Sequence, residues 1–206
     1  GDLFTTRSLL SYGTRGAVDH ALYTLVESGE IERLARGVFQ RPGPIKQVVT
    51  AFQVGQIKAS AFGKRIVTHP VDAAKKLGLC KMGNTEPTFS VNGPSSSFRF
   101  GNITIHFKRA SARKVILGDD KLGLAIKAMW HMGKAALTKA IVQSATEGFN
   151  RSDRNKFHYA SALMPAWLNN FLYRWRNETK GRAKTSEQHQ LTAISFWSNL
   201  LEQHDN

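Results

Sequence analysis

The chain has 206 residues, a formal net charge of +14 and a hydrophobic fraction of 41%. This length suffices for one large or two small domains, and the hydrophobic fraction is sufficient for packed cores. No apolar run approaches the length that crosses a bilayer and no charged-then-apolar leader is present, so we expect a cytoplasmic protein without a membrane partner. The single cysteine, Cys80, excludes an internal disulfide and is expected to be a small, partly buried apolar residue.

The first thirty residues predict two helices joined by a tight turn. Residues 4–10 form the first, because hydroxyl residues near its start can cap free amides and Gly13 ends it. The second is predicted from the capping residue Thr14 to Gly29, where a left-handed terminal residue suits glycine. Apolar residues recur at helical spacing on its buried face: Val18, Ala21, Leu22, Leu25 and Val26.

A small hairpin follows the second helix. Residues 31–34 and 37–40 alternate apolar and polar side chains, with 35–37 as the turn and Pro42-Gly43-Pro44 ending the pairing. Helix, turn, helix and hairpin in this order predict a winged helix-turn-helix, whose second helix lies in the major groove of duplex DNA. Units of this kind also dock proteins, so a protein-interaction role stays open.

The module contains candidate contacts to three parts of the duplex. At the exposed face of the second helix, we expect Arg15, His20 and Tyr23 to read base edges. Backbone amides and side chains at the two helix starts are expected to position phosphates, through Thr6, Arg7 and Thr14. The hairpin is expected to reach the flanking backbone through Arg33, Arg36 and Arg41.

The positive charge is concentrated behind this module. Residues 1–47 contain six basic and five acidic residues, whereas residues 48–118 contain eleven basic residues against Asp72 and Glu86. This imbalance indicates a polyanionic partner, either DNA phosphates or an acidic protein surface. The basic residues at the end of the last predicted strand form a candidate patch that extends a DNA footprint: Lys108, Arg109, Arg113 and Lys114.

The rest of the chain predicts an α+β fold that ends in helices. Residues 46–62 have helical spacing, residues 66–68 suit a strand, and Pro70 begins a helix that ends near Gly78. Three strands are then predicted to form an antiparallel sheet: 88–91, 97–100 and 103–107, the last two joined by the turn pair Gly101-Asn102.

From residue 119 the pattern is helical. Apolar faces are predicted at Leu122, Ala125, Ile126, Met129 and Trp130, then at Leu137, Ile141 and Val142, then at Phe157, Leu163, Trp167, Phe171, Leu172 and Trp175. We expect Pro165 to kink or break the last of these. A basic stretch over residues 174–184 is interpreted as a linker to an amphipathic segment over residues 191–201, which packs on its own domain or on a partner.

The sequence contains only a weak signal for a metal site and none of the usual motifs for catalysis or cofactor binding. None of the seven histidines has another histidine four residues away, and a cysteine pair is impossible. Phosphate-cradling, nucleophile-elbow and dinucleotide motifs are absent from the sequence. We therefore expect a protein that is not an enzyme.

Several stretches resemble the AbiEi-like antitoxins and transcriptional regulators of type IV toxin-antitoxin systems. In the first forty residues these are Phe4-Thr5-Thr6-Arg7, residues 13–19 from Gly13 to Asp19, and residues 30–39 from Glu30 to Phe39; further along they are residues 70–79 and 88–110, with Asn92-Gly93-Pro94-Ser95 between strands. The resemblance covers about the first half of the chain and has no counterpart after Arg113. It implies a repressor that binds the operator of its own operon, beside a gene for a nucleotidyltransferase-like toxin.

These observations together predict three regions. They are a winged helix-turn-helix domain over residues 1–45, a basic α+β domain over residues 46–118, and a helical C-terminal region over residues 119–206 that packs with the second. The expected function is that of a DNA-binding repressor and antitoxin that regulates its own operon. The alternative is a protein-interaction module that neutralises a toxin or its target without sequence-specific DNA binding.

Overall fold

The computed structural model describes residues 2–43, 48–81 and 86–178, and its fold is mixed α+β. The first forty residues contain strand β1 (Leu3–Thr5), a 3₁₀ helix (Thr6–Leu9), helix α1 (Arg15–Glu27) and strands β2 (Glu32–Ala35) and β3 (Val38–Gln40). The three strands form an antiparallel sheet in the order β1-β3-β2.

The predicted first helix over residues 4–10 is wrong in extent. Its beginning is strand β1, which pairs with β3 so that Phe4 lies opposite Phe39, and their rings stack at 5.8 Å. Only one 3₁₀ turn follows, capped by the side chain of Thr5. The pairing partner of β1 lies some thirty-five residues ahead in the chain, so local capping signals favoured a helix where the long-range pairing formed a strand.

Helix α1 follows its prediction closely. The Thr14 hydroxyl accepts a hydrogen bond from the Ala17 amide, and Gly29 has a φ of 73° just beyond the helix end. Val18 and Leu22 are buried in a small core with Ile31, Phe39 and neighbouring side chains. Ala21, expected on the buried face, is exposed because the sheet covers only the narrower stripe through Val18 and Leu22.

The hairpin is present, with its turn at Arg36 and Gly37 and an irregular register between Arg33 and Ala35. Gly37 takes a φ of 74°, a conformation that a side chain disfavours. The inward residues Ala35 and Val38 join a core with helix α2 and the second sheet. This core crosses the predicted boundary at residue 45, so the hairpin is packed on the region that follows it.

The middle region is built around a four-stranded sheet in the order β4-β5-β7-β6. Its elements are α2 (Ala51–Ser60), β4 (Ile66–Thr68), α3 (Pro70–Lys76), β5 (Thr88–Val91), β6 (Ser96–Phe100) and β7 (Ile103–Arg109). The expectation of an antiparallel sheet is wrong for one pair, because β5 and β7 run parallel. Residues 92–95 connect β5 to β6 across a gap one strand wide, and β7 lies in this gap between the two strands. At the end of β7 the Arg109 amide donates to Ser95 Oγ of the connection at 3.0 Å.

The described C-terminal part, residues 112–178, is helical, in agreement with the helices predicted from residue 119. It contains α4 (Ala112–Ile116), α5 (Lys121–Ala136), α6 (Lys139–Ala145), α7 (Arg151–Tyr159), a 3₁₀ helix (Ser161–Leu163) and α8, which covers residues 166–178. Their buried core contains Ala125, Ile126 and Met129 from α5 together with side chains of the later helices. Pro165 separates the 3₁₀ helix from α8, as expected of a proline that breaks a helix.

Helix α5 is fixed to the sheet by polar contacts at its start. Asp119 Oδ1 lies 2.5 Å from Lys127 Nζ, and the Asp119 carboxylate accepts the Thr68 amide of β4. Of the predicted linker, Arg174 and Arg176 lie on α8, whereas Lys180, Arg182, Lys184 and the amphipathic segment over residues 191–201 lie outside the described residues.

Candidate nucleic-acid interface

A groove of about 590 Å³ lies between α1, the hairpin turn and the end of α2. Its cations come from five different elements: Arg7 from the 3₁₀ helix, Arg15 from α1, Arg33 from β2, Arg36 from the turn and Lys58 from α2. Two carboxylates, Asp19 and Glu27, also line it. We call this cleft the basic groove, and its excess of cations suits a polyanion.

The 3₁₀ helix is held against the hairpin turn by backbone contacts. The Thr6 amide donates to the Gly37 carbonyl at 3.2 Å, and Thr5 and Ser8 form a reciprocal capping box. The Arg7 guanidinium lies 5.0 Å from the centre of the Phe62 ring, which orients it across the groove. At this helix start the amides of Thr5, Thr6 and Ser8 already have acceptors, so these three amides are not free to bind a phosphate.

One exposed stripe of α1 forms the opposite wall. Arg15, Asp19 and Tyr23 follow each other at four-residue spacing, and all three line the groove. Arg15 Nε donates to Asp19 Oδ2 at 2.8 Å, with both side chains largely exposed. A pair in this setting contributes little to stability. Its main consequence is that Asp19 offsets part of the Arg15 charge before any ligand arrives.

Lys58 connects α2 to the hairpin turn. Its ammonium donates to the Arg36 carbonyl at 2.6 Å and lies 4.7 Å from the centre of the Phe98 ring. Burial, together with the nearby charges of Arg36 and Arg33, lowers the pKa of Lys58. A bound anion would relieve this crowding of positive charge, so Lys58 is well placed to favour an anion in the groove.

Six of the nine residues expected to contact DNA line the basic groove: Thr6, Arg7, Arg15, Tyr23, Arg33 and Arg36. Thr6 is only 5% exposed, so its hydroxyl forms part of the wall and is not a free contact. The other three lie elsewhere. Thr14 caps α1, His20 is exposed on α1 outside the groove, and the Arg41 amide donates to the Asp2 carbonyl at 3.1 Å.

The structure adds Lys58 and Phe62, which the sequence analysis missed. Both belong to the α2 region and reach the groove through packing with a hairpin more than twenty residues earlier. From the sequence alone, Lys58 is only one of eleven basic residues in residues 48–118. The contact between Lys58 and the Arg36 carbonyl is what places this lysine in the groove.

The four residues of the candidate patch lie outside the lining of the basic groove. Lys108 and Arg109 are exposed and consecutive on β7, so their side chains leave opposite faces of the strand. Arg113 is exposed on α4, whereas Lys114 is half-buried with its ammonium 4.6 Å from the centre of the Trp130 ring. Proximity in sequence therefore does not place Lys108 and Arg109 on one face.

Within residues 2–43, 48–81 and 86–178 two features are absent, a helix that could cross a membrane and a cluster of metal ligands. None of the helices there is long and apolar enough to cross a bilayer. Within the same ranges, His, Cys, Asp and Glu side chains form no group of three or more that could hold a metal ion. His106 instead pairs with Glu86 at 2.6 Å, and hydrogen bonds from His106 and Thr104 lower the pKa of Glu86.

Comparison with known proteins places the chain in a family. The chain belongs to DUF6088, described as a family of unknown function, whose model matches residues 1–156. No curated protein and no solved structure matches the chain.

Proposed function

We propose that this member of the DUF6088 family binds duplex DNA through a winged helix-turn-helix formed by residues 3–40. The support is the order of a helical turn, helix α1 and a hairpin on a β1-β3-β2 sheet, with the exposed stripe of α1 beside the hairpin turn. In this arrangement α1 enters the major groove and the hairpin turn approaches the adjacent backbone.

The convergence of five cations on the basic groove is the observation that carries this proposal. Among the described residues, Arg7, Arg33 and Arg36 have no carboxylate partner in an ion pair. Their charge is therefore available to phosphates, which release condensed counterions when cations bind them. The resemblance to AbiEi-like regulators extends the proposal to a repressor and antitoxin that acts on its own operator, with a nucleotidyltransferase-like toxin as partner.

The test is fluorescence anisotropy with labelled duplexes at fixed salt, one carrying the DNA upstream of the gene and one a scrambled sequence. We expect tighter binding to the upstream duplex. Arg15→Ala should weaken that binding by about 1–3 kcal/mol and leave the scrambled duplex nearly unaffected, since a base contact carries specificity. Arg154→Ala, which removes an exposed arginine of α7, is the matched control and should change neither affinity.

Exposed aromatic side chains favour the second candidate, a protein-docking module. Tyr23 and Phe62 line the groove with 64% and 58% of their surface exposed, and Tyr12 is more exposed still. Aromatic residues of this kind are enriched where proteins bind proteins. Equal and weak binding to both duplexes would contradict a sequence-specific repressor and would favour this candidate.

A further inference from the structure

The shape of the basic groove fits a ligand much smaller than a DNA duplex. A duplex presents a convex backbone that touches the rim of a cleft, whereas the groove encloses about 590 Å³, a volume typical of small-molecule sites. The groove is also lined by the half-buried Val26 and by the buried side chains of Leu22 and Phe39. A concave site that combines apolar side chains with convergent charged groups can orient one organic ligand.

The charges of the groove specify a multiply charged anion. Five cations face two carboxylates, and one of those carboxylates, Asp19, is already paired with Arg15. Guanidinium groups match the geometry of phosphate oxygens, and Arg7, Arg33 and Arg36 approach the groove from three different elements. An excess of three positive charges is best neutralised by linked phosphates, because a single phosphate carries only about two negative charges at neutral pH.

The aromatic residues at the rim add a second recognition element. The Phe62 ring is 58% exposed and is contacted on one side by the Arg7 guanidinium, so its position is fixed while much of its surface stays open. Tyr23 lies on the α1 wall and is also mostly exposed. Aromatic side chains beside arginines are the platform on which nucleobases stack.

We propose that the basic groove binds a free nucleoside di- or triphosphate, with its phosphates on the arginines and Lys58 and its base against Phe62. This inference rests on the proposed DNA-binding function in one respect only. The same arginines would contact DNA, so the nucleotide would compete with the operator and act as an effector.

Isothermal titration calorimetry of the 206-residue chain tests the proposal with ATP, ADP, inorganic tripolyphosphate and adenosine. We expect both nucleotides to bind, tripolyphosphate to bind at least about tenfold more weakly than ATP, and adenosine to show no binding, since the site needs both phosphate and base. Tripolyphosphate that binds as tightly as ATP would overturn a nucleotide site. Failure of both nucleotides to bind at millimolar concentration would also overturn it.

Three variants locate the ligand. Arg33→Gln should weaken ATP and tripolyphosphate alike by about tenfold, as expected for a lost charged hydrogen bond. Phe62→Ala should weaken ATP binding more than tripolyphosphate binding, because it removes the surface for the base and, for both ligands, the contact that orients Arg7. Arg154→Gln, on α7 outside the groove, should change neither. If ATP binds the wild type and Arg33→Gln equally tightly, the nucleotide binds elsewhere and the proposal is overturned. Circular dichroism verifies that each variant is folded.

The two proposals fail in distinguishable ways. Duplex binding without nucleotide binding would overturn the nucleotide site and leave the DNA-binding proposal standing. Nucleotide binding without duplex binding would do the reverse. Where both bind, ATP should displace the labelled upstream duplex in the anisotropy assay, and a duplex that stays bound at saturating ATP would contradict a shared site.

Discussion

The ion pair between Asp119 and Lys127 allows a stability prediction to be worked from the structure. The Lys127 side chain is 0% exposed and its ammonium lies 2.5 Å from Asp119 Oδ1, while the Asp119 side chain is 29% exposed. The same carboxylate accepts the Thr68 amide, with its two oxygens at 2.9 and 3.0 Å. Asp119 therefore compensates a buried charge and also holds the end of β4 against α5.

Asp119→Ala removes the acceptor for both groups and leaves the ammonium of Lys127 without a partner. Breaking a buried pair in this way costs about 3–5 kcal/mol in the free energy of unfolding. Lys127→Met removes the buried charge instead and leaves Asp119, which is 29% exposed, with the Thr68 amide, so it should cost less than Asp119→Ala. The double variant should be more stable than Asp119→Ala alone.

The pH dependence separates this explanation from a loss of packing. Burial lowers the pKa of Lys127 and Asp119 opposes that shift, so removal of Asp119 moves the pKa of Lys127 in the folded chain further below its ordinary value of 10.5. Between the pKa of Lys127 in the folded chain and its ordinary value in the unfolded chain, the unfolded chain binds more protons than the folded one, so the free energy of unfolding rises with pH. Asp119→Ala should regain stability as the pH rises from neutral toward 10.5, whereas the double variant should not.

Urea denaturation at several pH values, followed by tryptophan fluorescence, measures all three variants. The reasoning is refuted if Asp119→Ala and Lys127→Met cost the same and show the same dependence on pH. That outcome would mean that Lys127 is not held as a buried charge.

Three further predictions concern the interface and the packing. Arg36→Gln and Lys58→Gln should each shallow the dependence of log affinity for duplex DNA on log salt by about 0.9, and an unchanged slope removes that residue from the interface. If the DNA footprint includes the candidate patch as well as the basic groove, a fourfold variant should make the salt dependence shallower by about 0.9 per lost phosphate contact. This variant combines Lys108→Gln, Arg109→Gln, Arg113→Gln and Lys114→Gln. Unaltered affinity and slope would assign this segment to a protein partner or to solvent. Gly123→Ala should lower the free energy of unfolding by about 1–3 kcal/mol or more, because a Cβ at this position would lie 2.1 Å from the Leu117 carbonyl oxygen. Gly16→Ala is the control: a Cβ there meets nothing within 4 Å, so the melting temperature should not fall.

Elements with local stop and start signals were predictable from the sequence. Helix α1 lies between its capping residue Thr14 and Gly29, and α3 begins at Pro70. At these two helices the capping residues and the backbone signals agree with the tertiary packing, so the local chemistry is sufficient to predict them. The hairpin at Arg36 and Gly37 was predictable for the same reason.

Features that depend on distant pairing were not predictable. Strand β1 exists because β3 lies beside it, and the parallel pair of β5 and β7 depends on how a connection crosses the sheet. The same limit applies to the site. Its arginines were identified individually, but their convergence with Lys58 and Phe62 depends on the packing of α2 against the hairpin.

The position of β7 between β5 and β6 has a consequence for the order of folding. Strands β5 and β6 follow each other in the chain but are never neighbours, so no early native hairpin joins them. The β6–β7 hairpin closes over a two-residue turn, and we expect β5 to pair with β7 after this hairpin forms, since short loops close faster than long ones. Until then one edge of β5 has no partner strand. Pulsed hydrogen exchange should therefore detect protected amides in the β6–β7 hairpin before those of the β5–β7 ladder, and the reverse order would show that the parallel pair forms first.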